Sequence, residues 1–197
     1  YAEEYHRAFF TNYARGKKLS NCGIEDIHIG GLSLVPALLA GLEAIDKTAD
    51  DYLFESTHIL IQGTHTHPAT LGAAQDLTRI LIALNERAEI RSILQNLRLS
   101  NVPLHSIRTW EKMPDRKVVG ETVSTACYLP ESFTASLYFA WKYFDDFSLA
   151  VLANAKAGGD NCHRGVVVGS IVGMQTGIPQ KWVKELHSME ELRCDSK

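Results

Sequence analysis

Side chains that can do chemistry are concentrated in three short stretches of this sequence. Residues 158–164 read Gly-Gly-Asp-Asn-Cys-His-Arg and place a carboxylate, a thiol, an imidazole and a guanidinium just before an apolar run. Residues 64–67 read Thr-His-Thr-His and precede Pro68, and residues 26–31 read Asp-Ile-His-Ile-Gly-Gly. Side chains of these types transfer protons, bind anions or hold metal ions.

Each of the three stretches stands at the N-terminal side of a predicted helix. Asp160 or Asn161 is the predicted N-cap of the helix that follows residues 158–164, and Pro68 suits the first turn of the helix that follows residues 64–67. Helix N-termini attract anions through their free N–H groups and the helix dipole. If the stretches converge, they line one cleft that suits an anionic ligand such as a diphosphate.

Helical periodicity accounts for almost the whole chain and predicts an all-α fold, an orthogonal multi-helix bundle formed as a single domain over residues 1–197. Helices are predicted over residues 1–15, 30–45, 50–63, 68–87, 90–97, 132–144, 146–155, 160–177 and 179–186. Ser132 is the expected cap of its helix, and the aromatic residues of the first helix are expected to pack in the core. Residues 100–126 show no period and are predicted to form a long loop.

Glycines recur every fourth residue in the helix that follows Asp160, at Gly165, Gly169, Gly173 and Gly177. A glycine inside a helix costs about 1 kcal/mol relative to alanine, so this spacing predicts that neighbouring helices contact the backbone closely and offset the cost. Valine, isoleucine and methionine fill the positions between the glycines. The helix is therefore predicted to be apolar all round and to lie inside the bundle.

Composition narrows the class of protein. The chain has 197 residues, a net charge of -3 and 45% hydrophobic residues, which indicates a soluble domain with a core and no nucleic-acid partner. The longest apolar run, residues 165–173, is too short to cross a membrane. Four dispersed cysteines without a Cys-x-x-Cys pair, and no secretory signal, favour the cytoplasm. Because the chain begins with Tyr1, we expect a fragment or a processed form.

The C-terminal motif resembles that of a known family. Gly-Gly-Asp, a helix rich in Gly and Val, and then Ile178-Pro179-x-x-Trp182 are similar to the signature of the ADP-ribosylglycohydrolases, which typically reads Gly-Gly-Asp-Thr-Asp-Thr. Asp160 matches the first aspartate, whereas Cys162 replaces the second and His163 replaces the last threonine. The resemblance runs from about residue 22 onward and is strongest over residues 132–182.

This resemblance implies an all-α hydrolase that cleaves an N- or O-glycosidic bond of ADP-ribose. Residues 28–33 look like a divergent Gly-Asn-Gly motif that contacts the ribose, and Thr64-His65 matches a Thr-His pair of the family. The implied catalytic residue is Asp160, and the expected substrate-binding residues are His28, Gly30, Gly31, Thr64, His65, Asn161 and Arg164. Arg164 is included because its guanidinium can meet a phosphate with two parallel hydrogen bonds.

Two departures from the family pattern concern its magnesium pair. The first departure is that the family's early Asp-Asp-Thr motif is absent from this chain. The second is at Cys162 and His163, so the expected metal residues are Asp160, Cys162 and His163. Magnesium prefers oxygen ligands, whereas a thiol and an imidazole suit zinc better. Magnesium is therefore the cofactor implied by resemblance, and zinc is the chemical alternative.

Other interpretations remain open at this level. The chain could bind ADP-ribose or a related nucleotide without turnover, or be structural, as certain crystallins similar to this family are. It could also be a zinc protein that uses Cys162 and His163. Asp160 could serve only as a helix cap, Cys162 as a small core residue and His163 as a donor to a carbonyl, while Arg164 could pair with an acid such as Glu131.

Overall fold

Eleven α-helices build the part of the chain that the computed structural model describes, residues 2–99 and 102–186. They are α1 (Glu4–Ala14), α2 (Val35–Glu43), α3 (Asp50–Gln62), α4 (Pro68–Asn85), α5 (Ile90–Asn96), α6 (Leu104–Trp110), α7 (Asp115–Val118), α8 (Glu131–Lys142), α9 (Phe147–Ala157), α10 (Asn161–Thr176) and α11 (Gln180–Lys184). Short 3-10 helices at Leu19–Asn21 and Ile29–Leu34 precede α2.

The described ranges contain isolated β-bridges but no strand, which confirms the predicted all-α fold. Two of these bridges join polar loops. Ile24 pairs with His65, and His28 pairs with Tyr128. None of the helices in these ranges combines the length and the apolar character that a membrane span requires.

Helix α8 forms the centre of the core. Every residue from 132 to 141 is buried, and the helix packs against α5, α6, α9 and α10. The expected cap at Ser132 is wrong, because the helix begins at Glu131 and the Ser132 hydroxyl donates to the Cys127 carbonyl at 3.3 Å. Ser132 therefore ties the preceding loop to the first turn of α8.

Helix α10 is buried on one side rather than all round. Val167, Val168 and Ile171 are buried, whereas Val166 and Met174 are exposed. The expected close contact is confirmed at two of the four glycines, whereas a Cβ added to Gly177 would meet no atom within 4 Å. A Cβ added to Gly173 would lie 3.3 Å from the Phe147 ring, and one added to Gly165 would lie 3.3 Å from the Asn154 amide nitrogen. The glycines thus admit side chains of α9 against the α10 backbone.

The prediction of a long loop over residues 100–126 is wrong, because α6 and α7 lie within it. Asp115 opens the four-residue helix α7, and its carboxylate accepts hydrogen bonds from Lys142 at 2.8 Å, Tyr138 at 2.8 Å and Tyr143 at 2.7 Å. A helix this short is unstable in isolation and depends on such tertiary contacts. Local periodicity therefore did not reveal it.

The aromatic residues of α1 also differ from expectation. Tyr5 is only 4% exposed, but Phe10 is 65% exposed and Tyr13 is 54% exposed. Tyr5 is the single buried residue of α1, all of which the structure describes. The predicted core face of this helix is therefore reduced to one side chain.

A turn at Gly158 and Gly159 joins α9 to α10. Both glycines have positive φ angles, +75° and +65°, which other residues rarely adopt. A Cβ at Gly158 would meet no atom within 4 Å, whereas a Cβ at Gly159 would overlap the Thr125 carbonyl. Gly159 is thus required by its backbone conformation and by the space around it.

We expect Gly159→Ala to lower the free energy of unfolding by about 2–4 kcal/mol, because a strained φ and an overlap with Thr125 add together. Gly158→Ala carries the strained φ alone and should cost about 1–2 kcal/mol. Urea denaturation followed by circular dichroism measures both values. Equal losses in the two variants would contradict the close approach at Thr125.

Candidate functional site

Asp160 stands at the junction between the glycine turn and α10. Its carboxylate caps no N–H of α10 among the described residues, so the interpretation as a simple helix cap is wrong. Both carboxylate oxygens instead lie 3.0 Å from His163 Nδ1, and one of them lies 3.5 Å from His28 Nε2. Two imidazoles therefore share this carboxylate.

The protonation of His28 follows from its surroundings. Burial and the neighbouring His163 lower its pKa, and Asp160 opposes them only in part. The Gly30 N–H donates to His28 Nδ1 at 2.9 Å, so the neutral ring carries its proton on Nε2. That proton faces Asp160. The His28 backbone N–H donates to Asp26 at 2.9 Å, which holds the loop in place.

His65 is fully buried in the second polar stretch. Its Nδ1 lies 2.9 Å from the Thr64 hydroxyl, and its Nε2 has no hydrogen-bond partner among the described residues. Burial is the main reason that its pKa is lowered to about 4. A Cβ at Gly31 would lie 3.0 Å from His65 Nδ1, so the glycine allows this ring to approach the chain.

The structure brings the three polar stretches together. Ile24, just before residues 26–31, is bonded through its backbone to residues 64–67. The Thr66 N–H donates to the Ile24 carbonyl at 2.8 Å, and the Ile24 N–H donates to the Thr64 carbonyl at 3.1 Å. The Thr70 hydroxyl adds a bond of 2.7 Å to the Asp26 carbonyl. The contact between His28 and Asp160 then joins residues 26–31 to residues 158–164.

Tyr5 is a site residue that sequence reasoning missed. Its ring centroid lies 4.3 Å from that of His65 and 5.5 Å from that of His28, and its hydroxyl lies against Gly30. Burial, with nearby acids, raises the pKa of Tyr5 to about 12, so the phenol stays protonated. Helical spacing placed Tyr5 among four similar aromatic residues, and only the tertiary structure distinguishes it from the others.

Arg164 has a structural position that changes its expected role. It is fully buried, and its guanidinium donates to Asn154 at 3.1 Å, to the Thr125 carbonyl at 2.9 Å and to the Gly158 carbonyl at 2.6 Å. All three guanidinium nitrogens are thus bonded to protein oxygens, and Glu131 is not among these partners. Arg164 holds the turn from which Asp160 projects.

The two other residues predicted on this turn point elsewhere. Cys162 is exposed, so it is not the core residue that one interpretation expected, and its Sγ lies 3.9 Å from the Asn161 amide oxygen. The Asn161 carbonyl accepts a hydrogen bond from Asn154 at 2.8 Å. Asn161 thus helps to hold α9 against α10.

A different thiol lies next to Asp160. Ligand atoms of His28, Cys127 and Asp160 lie within 4.8 Å of one another, close enough to share one metal ion. The family typically binds divalent metals, but these residues do not fit magnesium, which prefers six oxygen ligands. Zinc accepts such donor types, but His28 presents an N–H here, and burial raises the pKa of the Cys127 thiol.

Comparison with known proteins agrees with the all-α fold. Residues 3–196 match the ADP-ribosylglycohydrolase family, and the chain therefore belongs to that family. A solved ADP-ribosylglycohydrolase-related protein complex shares the fold, with a TM-score of 0.62 and 20% sequence identity. That match covers 98% of this chain and 66% of that chain. No curated protein matches.

We expect Arg164→Met to destabilise the protein by about 3–5 kcal/mol, because the oxygens of Thr125, Gly158 and Asn154 lose a buried donor. Arg116→Met, at an exposed position, is the matched control. Denaturant titrations of both variants measure the difference. A loss below about 1 kcal/mol would contradict the clamp described here.

We expect neutral His65 to make stability depend on pH. The unfolded chain binds a proton at His65 below its ordinary pKa of 6.5, but the folded protein binds it only near 4, so stability falls as the pH drops between these values. His65→Gln should reduce the loss of unfolding free energy between pH 7.5 and pH 5 by about 1–2 kcal/mol. The exposed His58→Gln is the control, and an unchanged loss in His65→Gln would contradict the prediction.

Proposed function

We propose that this chain belongs to a glycosidase that hydrolyses an N- or O-glycosidic bond of ADP-ribose with an Asp160–His163 pair as its acid–base unit. The observation that carries the proposal is the carboxylate of Asp160, with both oxygens 3.0 Å from His163 Nδ1. A carboxylate that accepts the Nδ1 proton of a histidine leaves a lone pair on Nε2, which can take a proton from water.

Each step of the proposed reaction conserves atoms and charge. His163 Nε2 takes a proton from a water molecule, and the water oxygen bonds to the anomeric carbon of the ribose. The glycosidic bond breaks with its electron pair on the leaving atom, which then receives the proton from His163. Asp160 stabilises the positive charge that His163 carries between these transfers. The side chain of His163 is 22% exposed, which leaves it within reach of water.

Substrate binding is assigned to the loops beside this pair. His28, Gly30 and Gly31 form one wall, and Thr64 and His65 lie behind it. The family acts on ADP-ribosylated substrates, which supports ADP-ribose as the ligand. Arg164 and Asn161 act on this wall only through the turn that they hold.

The metal requirement is part of the proposal. We propose that Asp160 works with two imidazole N–H groups in place of the family's divalent ions, because His28 and His163 already surround its oxygens. Magnesium and zinc would each have to displace these contacts. Activity that persists after removal of divalent ions is the expected behaviour.

Recognition of ADP-ribose without turnover is the second candidate. It is favoured by Cys162, which replaces the second aspartate of the motif and is exposed, so the turn supplies one carboxylate instead of two. The two candidates share a ligand and differ in whether product forms. A purely structural protein would neither bind nor cleave.

We expect Asp160→Asn and His163→Gln to lower hydrolysis of an ADP-ribosylated peptide by about 10²–10⁴-fold, the usual contribution of an acid–base group. Product release is measured by chromatography, with EDTA or with magnesium. The matched controls are Asp145→Asn and His105→Gln, both at exposed positions.

Calorimetric titration with ADP-ribose separates the candidates. Binding by the wild type in EDTA that survives His163→Gln, together with loss of product in that variant, is the result expected for the hydrolase. Binding without product in the wild type would favour recognition alone. Hydrolysis that requires magnesium and survives His163→Gln would overturn the proposed mechanism, and absence of binding by the folded protein would exclude both candidates.

A further inference from the structure

Helix α1 buries little of its side-chain surface against the rest of the protein. Tyr5 is its one buried side chain, and Asn12 donates a hydrogen bond of 3.0 Å to the Cys22 carbonyl. Phe10 and Tyr13 are mostly exposed. A helix with so little buried apolar surface separates from its neighbours at a low cost in free energy.

The residue after the last turn of α1 allows such a movement. Gly16 has a φ of +82°, and a Cβ placed there would meet no atom within 4 Å. Its surroundings therefore leave the chain room to turn at this position. A glycine is the residue that most readily absorbs a change of backbone angles at a hinge.

The side chain that α1 inserts lies on the residues assigned to substrate binding. The Tyr5 ring packs on His28 and His65, and its hydroxyl lies against Gly30. The Tyr5 ring lies in contact with His65, at 4.3 Å between centroids, so a ligand ring that packs on the same face of His65 would overlap it. Tyr5 and a substrate ring would therefore exclude each other.

A nitrogen of His65, the residue next to Tyr5, indicates what kind of ligand could replace the tyrosine ring. His65 Nε2 is buried and has no hydrogen-bond partner within the described ranges, although its other nitrogen is bonded to Thr64. A buried polar atom left without a partner is unfavourable. A ring of similar size that carries a hydroxyl, such as a ribose, would supply the missing hydrogen bond.

We propose that α1 is a lid and that Tyr5 occupies the ribose subsite in the closed state. The helix turns about Gly16, Tyr5 leaves, and a ligand hydroxyl bonds to His65 Nε2. The existence of the lid rests on geometry, whereas the identity of the ligand rests on the proposed function. The apparent affinity of the site is reduced by the fraction of molecules in which the lid is closed.

Two variants open the lid by different routes. Tyr5→Ala removes the ring that packs on His28 and His65. Asn12→Ala removes the hydrogen bond to Cys22 and leaves the residues of the site unchanged. Tyr13→Ala is the matched control, because it removes a tyrosine from the exposed side of the same helix. Circular dichroism verifies that each variant is folded before it is used.

The first measurement is the reaction of His65 with diethyl pyrocarbonate, which modifies accessible imidazole nitrogens. Tandem mass spectrometry separates His65 from the exposed His58, which serves as an internal reference. We expect His65 in Tyr5→Ala to react about tenfold faster than in the wild type, and Asn12→Ala to show a smaller increase. The Tyr13→Ala control should match the wild type.

The second measurement is the dissociation constant for ADP-ribose by calorimetry. We expect about tenfold tighter binding in Tyr5→Ala and a smaller gain in Asn12→Ala. Unchanged His65 labelling in both variants, or weaker binding by folded Tyr5→Ala, would overturn the lid, because a merely structural tyrosine cannot improve binding when it is removed. Faster labelling without ADP-ribose binding by any variant would support the lid and overturn the proposed function.

Discussion

The buried guanidinium of Arg164 is the interaction on which the rest of the site depends. It joins α9 through Asn154, the segment before α8 through Thr125, and the glycine turn through Gly158. A planar group with donors in fixed directions can hold three oxygens at once, and its burial makes each of those bonds hard to replace. The turn that carries Asp160 is therefore held from three sides, although its glycines are conformationally permissive.

The carboxylate of Asp160, which projects from that turn, lies next to two imidazoles. His163 comes from the same helix, one turn along, whereas His28 comes from a loop far away in the sequence. The Gly30 N–H sets the tautomer of His28, so that its remaining proton faces the carboxylate. The chain thus keeps the fold and the first aspartate of the ADP-ribosylglycohydrolase family but surrounds that aspartate with different chemistry.

The second half of the site is arranged around glycines that admit rings. Gly31 lets His65 approach, and Gly30 leaves room for the Tyr5 hydroxyl. These close approaches create a cluster of aromatic and imidazole rings in which His65 Nε2 has no hydrogen-bond partner among the described residues. The residues proposed to bind substrate and the tyrosine proposed to cover them therefore lie at neighbouring positions, so the proposed lid would link access to the site with the position of α1.

The amino-acid sequence alone determined the all-α fold and most helix positions, because those depend on periodicity and on local signals such as Pro68 in the first turn of α4 and Asp146 just before α9. It also singled out the three polar stretches that meet. Only the tertiary structure decided what each side chain does there. Arg164 became a clamp, Cys127 replaced Cys162 beside Asp160, and Tyr5 became part of the site. The physical reason is that burial and hydrogen-bond partners come from residues distant in the sequence, which no local pattern encodes. The same holds for α7, a helix that forms because side chains of α8 bind its first residue.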